Sequence, residues 1–155
     1  VDRMVLALKF AGALPVAQAF AALLADRIGP RPDIELIVPM PLGHARLRER
    51  GFNQAHEIAR RVASLLEIPI AATATERVRD TVPQSDLSID HRVSNVRNAF
   101  SADAAVVGRR IAVVDDVMTT GATLEACARA LRRGGASSVV NMAGDPGAGR
   151  AERRT

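Results

Sequence analysis

Apolar residues recur along this chain in two patterns: a helical spacing of three and four, and short unbroken runs of the kind that fill a covered strand. Two apolar helices are predicted to open it, over Asp2 to Phe10 and over Leu14 to Ile28, the second carried by Leu14, Ala17, Ala21, Leu24 and Ile28. Gly29, Pro30, Arg31 and Pro32 follow as a breaker run, since proline lacks an amide proton and glycine favours turns. The run Ile34 to Val38, interrupted only by Glu35, predicts a strand that ends in a fixed loop at Pro39 and Pro41. A basic stretch with Arg46, Arg48 and Arg50 comes next. An amphipathic helix is then predicted from Phe52 to about Leu66, with Phe52, Ala55, Ile58, Ala59, Val62 and Leu66 as its buried stripe. Ile70 to Val78 reads as another strand, and Arg79 to Ala99 as a long polar segment without a dominant period. Loops of that length are usually functional or disordered.

The plainest strand is Ile111 to Val114, four apolar residues in a row, as a strand covered by helices on both faces requires. A helix from about Thr123 to Arg133 buries Leu124, Cys127, Ala128 and Leu131 and stops at Gly134 and Gly135, and Ser137 to Met142 forms a last short strand. Strands alternating with helices predict a single α/β domain: a mainly parallel sheet flanked by helices, with ligands at the carboxyl ends of the strands. The chain divides into an N-terminal helical segment over 1–32, an α/β core over 33–143 and a mobile tail over 144–155, rich in Gly, Arg and Ala.

Composition narrows the ligand classes. Of 155 residues 48% are hydrophobic but only 3% aromatic, with no Trp and no Tyr, so the interior is built from Val, Leu, Ile and Ala, and base stacking is a weak basis for binding. Cys127 is the single cysteine, which excludes an intrachain disulfide and any multi-cysteine metal site and predicts a cytoplasmic setting. His44, His56 and His91 lack metal-ligand spacing and are assigned to the surface, and Cys127 to the core. The longest apolar stretch, Phe10 to Ala25, contains Gly12, Pro15 and Gln18, and its helical period argues for a packed helix rather than a membrane span or an exported leader. The net charge of +4 comes from 21 basic and 17 acidic residues. Lys9 is the only lysine, so the positive charge is carried by guanidinium groups, whose planar forks suit phosphate and carboxylate. That balance permits anionic ligands without choosing among them.

The choice comes from residues 115–123. Asp115 and Asp116 stand where the buried strand ends, and a sugar diol supplies two donors to such paired acceptors. Thr119, Thr120, Gly121, Ala122 and Thr123 then lead into a helix, bringing hydroxyls, a flexible glycine and backbone N–H groups to one point, which makes an anion cradle. A diol site and a phosphate site one loop apart match the two ends of a ribose 5-phosphate. The run Ile111-Ala-Val-Val-Asp-Asp-Val-Met-Thr-Thr-Gly-Ala-Thr123 resembles the phosphoribosyl-diphosphate fingerprint of type I phosphoribosyltransferases. Val38-Pro-Met-Pro-Leu42, followed by Arg46, Arg48 and Arg50-Gly-Phe-Asn-Gln54, resembles the signature of the ComF family, phosphoribosyltransferase-like proteins associated with competence and DNA uptake. Leu8-Lys-Phe-Ala-Gly12 and Arg77, Thr81, Gln84, Leu87, Arg92, Asn95 and Phe100 agree with that pattern. Many members also carry an N-terminal cysteine-rich zinc-binding segment; the single cysteine of these 155 residues shows none of it, so a function resting on that module is either absent or cut off from this sequence.

The resemblance implies a type I phosphoribosyltransferase-like fold with an N-terminal helical hood over 1–32. It assigns the ribose hydroxyls to Asp115 and Asp116, the 5-phosphate to Thr119 to Thr123, and the diphosphate to Pro39, Met40, Pro41 and Leu42 with Arg46 and Arg50 as charge partners. Arg77, Arg79, Gln84 and Arg92 fall in or beside the segment expected to close over the site. Mg²⁺ is the implied cofactor, carried by the ligand, with Asp115 and Asp116 as candidate contacts and no metal site of the protein's own. Two readings follow. The first is transfer of 5-phosphoribosyl to a nitrogen base with release of pyrophosphate, a glycosyltransferase of nucleoside metabolism. The second is a non-catalytic sensor of phosphoribosyl diphosphate or a nucleotide, or a binder of single-stranded DNA, acting in competence with other competence proteins. A homodimer is the candidate assembly, and no membrane insertion is expected.

Overall fold

The computed structural model of the chain describes residues 14–78, 99–116 and 121–143. In chain order the elements are α1 (Leu14–Ile28), β1 (Leu36–Pro39), α2 (His44–Arg50), α3 (Gln54–Leu66), β2 (Thr75–Arg77), β3 (Phe100–Ala102), a 3₁₀ turn (Ala104–Val106), β4 (Arg110–Asp115), α4 (Ala122–Arg133) and β5 (Ser138–Ala143). The sheet runs β1-β4-β5, all parallel, with Pro39 opposite Val114 and Asp115 opposite Ala143. This is the α/β architecture the alternation predicts.

Both faces of that sheet are covered, which is why its strands read as apolar runs. Successive side chains point to opposite faces. Leu36, Val38, Ile111, Val113 and Val139 pack with Leu124, Cys127, Ala128 and Leu131 of α4 and with Phe100. Ile37, Ala112, Val114 and Met142 pack with Ala17, Phe20, Ala21 and Leu24 of α1 and Ile58, Ala59, Val62 and Ala63 of α3. Alanine at Ala17, Ala21, Ala59 and Ala63 lets the helices of this layer pack closely with few aromatic rings.

Several boundaries differ from the sequence reading. The predicted strand Ile70 to Val78 is split. Ile70 makes one parallel bridge to Ile37, the chain turns, and Thr75–Arg77 pairs instead with Phe100–Ala102 as an antiparallel ribbon. That partner strand lies outside any strand the hydrophobic pattern predicted, since three residues are too few to show a period. The basic stretch is a helix, α2, bounded by Gly43 and by Gly51, which takes φ 74° at its C-terminal cap. It has no buried residue, so burial patterning gave no sign of it. Phe52 is half-buried rather than part of the α3 stripe, because α3 begins at Gln54 with Asn53 as its cap. Likewise α4 begins at Ala122, one residue before the predicted start, with Gly121 in the left-handed region at φ 70°. Residues 1–13, including the predicted first helix and Lys9, and the predicted tail 144–155 lie outside the described residues.

Candidate functional site

The site forms where β1 and β4 end side by side. Four apolar residues carry β4 through the core, and the strand meets partly exposed surface at Asp115 and Asp116. The Asp116 backbone N–H donates to Asp115 Oδ1 at 2.8 Å, which fixes the first carboxylate against its own main chain. Across from it, the Met40 N–H extends the parallel ladder by donating to the Val114 carbonyl at 2.8 Å. The loop Pro39 to Leu42 and the acidic pair Asp115 and Asp116, far apart in sequence, are thereby made neighbours.

The loop is itself held from the other side. Asn53 caps α3 by accepting the Ala55 N–H at 3.0 Å on Oδ1, and its Nδ2 donates to the Met40 carbonyl at 2.9 Å. The sequence motif around Arg50 to Gln54 pointed to this region without giving Asn53 a role. Its position just before an amphipathic helix is the signal that finds it, because asparagine is a favoured N-cap.

The expectation that loop backbone amides grip a diphosphate is narrowed by this geometry. Pro39 and Pro41 have no N–H, and that of Met40 is committed to Val114. Of the four loop residues, Leu42 alone keeps a backbone donor for a ligand. The basic side chains next in sequence stand on α2, which follows directly. Arg46 is exposed on it, while Arg50 is half-buried and donates from Nη1 to Gln54 Oε1 at 3.2 Å, on a glutamine that is itself buried. His44, at the start of α2, lies 3.2 Å from Glu76 Oε1 on β2 and ties the helix to the ribbon. Arg77 stands over the Phe100 ring at 5.8 Å.

On the far side of Asp115 and Asp116, α4 begins at a glycine that supplies no side-chain cap. A helix start of this kind directs backbone N–H groups and the positive end of the helix dipole toward an anion. Gly121, Ala122 and Thr123 are described there, whereas Thr119 and Thr120 lie outside the described residues, as do Arg79, Gln84 and Arg92. The ribbon brings the two ends of the long polar segment together, with the Val78 N–H donating to Ala99 O at 2.8 Å. Below the site, Cys127 is buried in the α4 face, and burial pushes its thiol up to about 12, with the Asp115 charge adding to the rise and a hydrogen bond with Thr75 opposing it. The thiol is therefore a core group and not a nucleophile. Among the described residues no three His, Cys, Asp or Glu side chains gather as a metal cluster, and no helix is long and apolar enough to cross a membrane.

Residues 49–143 match the phosphoribosyl transferase domain family. The chain is 39% identical over 108 residues to competence protein F of Haemophilus influenzae, covering 68% of this chain and 47% of that protein. It is 36% identical to the DNA utilization protein YhgH of Salmonella typhi, covering 85% of this chain and 61% of the relative. It is 32% identical to competence protein ComFC of Bacillus subtilis, covering 86% and 55%. The chain thus spans about half to three-fifths of the length of these relatives. Among solved structures, the glutamine phosphoribosylpyrophosphate amidotransferase from B. subtilis, complexed with ADP and GMP, superposes with a TM-score of 0.55 at 21% identity, covering 81% of this chain and 25% of that one. That likeness concerns the fold.

Proposed function

Because this chain belongs to the ComF family of phosphoribosyltransferase-like proteins, we propose that the site at the ends of β1 and β4 binds 5-phosphoribosyl 1-diphosphate and passes its phosphoribosyl group to a nitrogen base. The observation that carries this reading is the Met40 to Val114 hydrogen bond of 2.8 Å, which sets the candidate diphosphate loop against the strand that ends in Asp115. A ligand with a diol between two phosphate groups matches that order of loop, acidic pair and helix start.

In this reading Asp115 and Asp116 accept hydrogen bonds from the ribose hydroxyls, and the loop with Thr119 to Thr123 holds the 5-phosphate. Leu42, Arg46 and Arg50 face the diphosphate. The reaction breaks the bond from the anomeric carbon to the diphosphate oxygen as the bond to the base nitrogen forms. Positive charge grows on the ribose ring and negative charge on the departing diphosphate, so fixed donors near the latter lower the barrier. Two carboxylates plus ligand phosphate oxygens are a donor set that fits Mg²⁺. When bound, the ion neutralises charge on the leaving group. The segment 79–98, whose ends the β2–β3 ribbon holds together, is proposed to cover the site and exclude water.

Titration calorimetry with the diphosphate ligand and Mg²⁺ tests the binding step. Heat of binding is expected for the unaltered protein, with at least a tenfold loss, on the order of 1.4 kcal/mol, in Asp115→Ala. Pyrophosphate release across purine, pyrimidine and nicotinate-type bases tests transfer. Binding without release on any base favours the second reading, a sensor of phosphoribosyl diphosphate or a nucleotide. An α2 with no buried side chain, exposing Arg46 and Arg48 beside the site, supports contact with single-stranded DNA as part of that reading. The names of the relatives, competence protein and DNA utilization protein, support a role in DNA uptake. Such contact is phosphate-driven and falls steeply with salt, so an unshifted gel at low ionic strength excludes it. A cytoplasmic site of action, a homodimer and the division into 1–32, 33–143 and 144–155 belong to the same proposal.

A further inference from the structure

We infer that Asn53 is a positioning residue for the diphosphate end of the ligand, acting through the Met40 peptide; this rests on the phosphoribosyl-diphosphate reading of the site. Proline fixes φ near −65° at Pro41, so the direction of the Leu42 N–H depends on the orientation of the Met40–Pro41 peptide and on ψ of Pro41. The peptides on both sides of Met40 are held. The Met40 N–H donates to Val114 O at 2.8 Å, and its carbonyl accepts from Asn53 Nδ2 at 2.9 Å. The same side chain accepts the Ala55 N–H at 3.0 Å. An amide is suited to this because one end must donate and the other accept: aspartate lacks the donor, and serine is too short to serve both partners. Asn53 therefore couples the start of α3, the loop and the strand that ends in Asp115, and aims the single loop amide left for a phosphate.

The test compares Asn53→Ser, which keeps a good cap, with Asn53→Ala, which loses both bonds. Affinity is measured by calorimetry for phosphoribosyl diphosphate with Mg²⁺ and for ribose 5-phosphate, alongside thermal melting and amide hydrogen exchange of the ligand-free proteins. Both variants are expected to bind the diphosphate ligand about tenfold more weakly while ribose 5-phosphate affinity stays within about twofold. Exchange at Met40 and Leu42 quickens in both, even though Asn53→Ala melts lower than Asn53→Ser. A merely structural role makes the affinity losses follow the melting order or fall equally on both ligands, and either outcome overturns the inference. Unchanged exchange at Met40 and Leu42 also overturns it. If the unaltered protein binds neither ligand, the phosphoribosyl reading fails, and the exchange data alone decide whether Asn53 holds the loop.

Discussion

Cys127 shows how burial converts a reactive residue type into packing. Its side chain is fully enclosed in α4, and its thiol is pushed up to about 12 from an ordinary value of 9.0, chiefly because burial penalises the thiolate. The folded value lies above the unfolded one, so the contribution to stability is fully present below about pH 9 and is lost as pH rises through about 12. The chain has no Tyr and one Lys, so few other side chains titrate in that window. The stability of the unaltered protein in chemical denaturation is expected to fall between those pH values, and Cys127→Ala to flatten the decline. An identical decline in the variant refutes this attribution. A thiol reagent at pH 8 is likewise expected to label the protein only when denaturant is present.

Among the elements, the contact between α4 and the β2–β3 ribbon depends on the absence of a side chain. A Cβ at Gly134 would fall 2.7 Å from that of Ala102 and 3.2 Å from Val106 Cγ2. Gly134→Ala is therefore expected to cost roughly 1–3 kcal/mol by overpacking, although alanine is the better residue by helix propensity. Denaturant melts of Gly134→Ala, Ala102→Gly and the double variant check this. The second change should restore part of what the first loses, and additive losses would mean the two sites do not compete for space. One turn earlier in α4, Leu131 is fully buried in the core with Ile111, Val113 and Val139 of the sheet, and Leu131→Ala is expected to cost about 2–5 kcal/mol.

At the scale of the molecule, the candidate site draws on β1, β4 and α4, which pack together along the sheet, so a ligand held by the loop, the acidic pair and α4 should stabilise the whole domain. With phosphoribosyl diphosphate and Mg²⁺ at about a hundred times the dissociation constant, the gain is about 2.7 kcal/mol, a rise of roughly 5–10 °C for a chain of this size. Differential scanning fluorimetry across ligand concentration checks it, and a melting point independent of ligand would contradict binding to the folded state. The sequence by itself determined the alternation of covered strands and amphipathic helices, the acidic end of β4 and the breaker positions, because each is written in neighbouring residues. The tertiary structure alone decided that Thr75–Arg77 pairs with Phe100–Ala102, that the arginines after the proline loop form a helix without a buried face, and that Met40 is held between Val114 and Asn53. Those features depend on which distant backbone groups satisfy one another's hydrogen bonds. No local pattern encodes that matching.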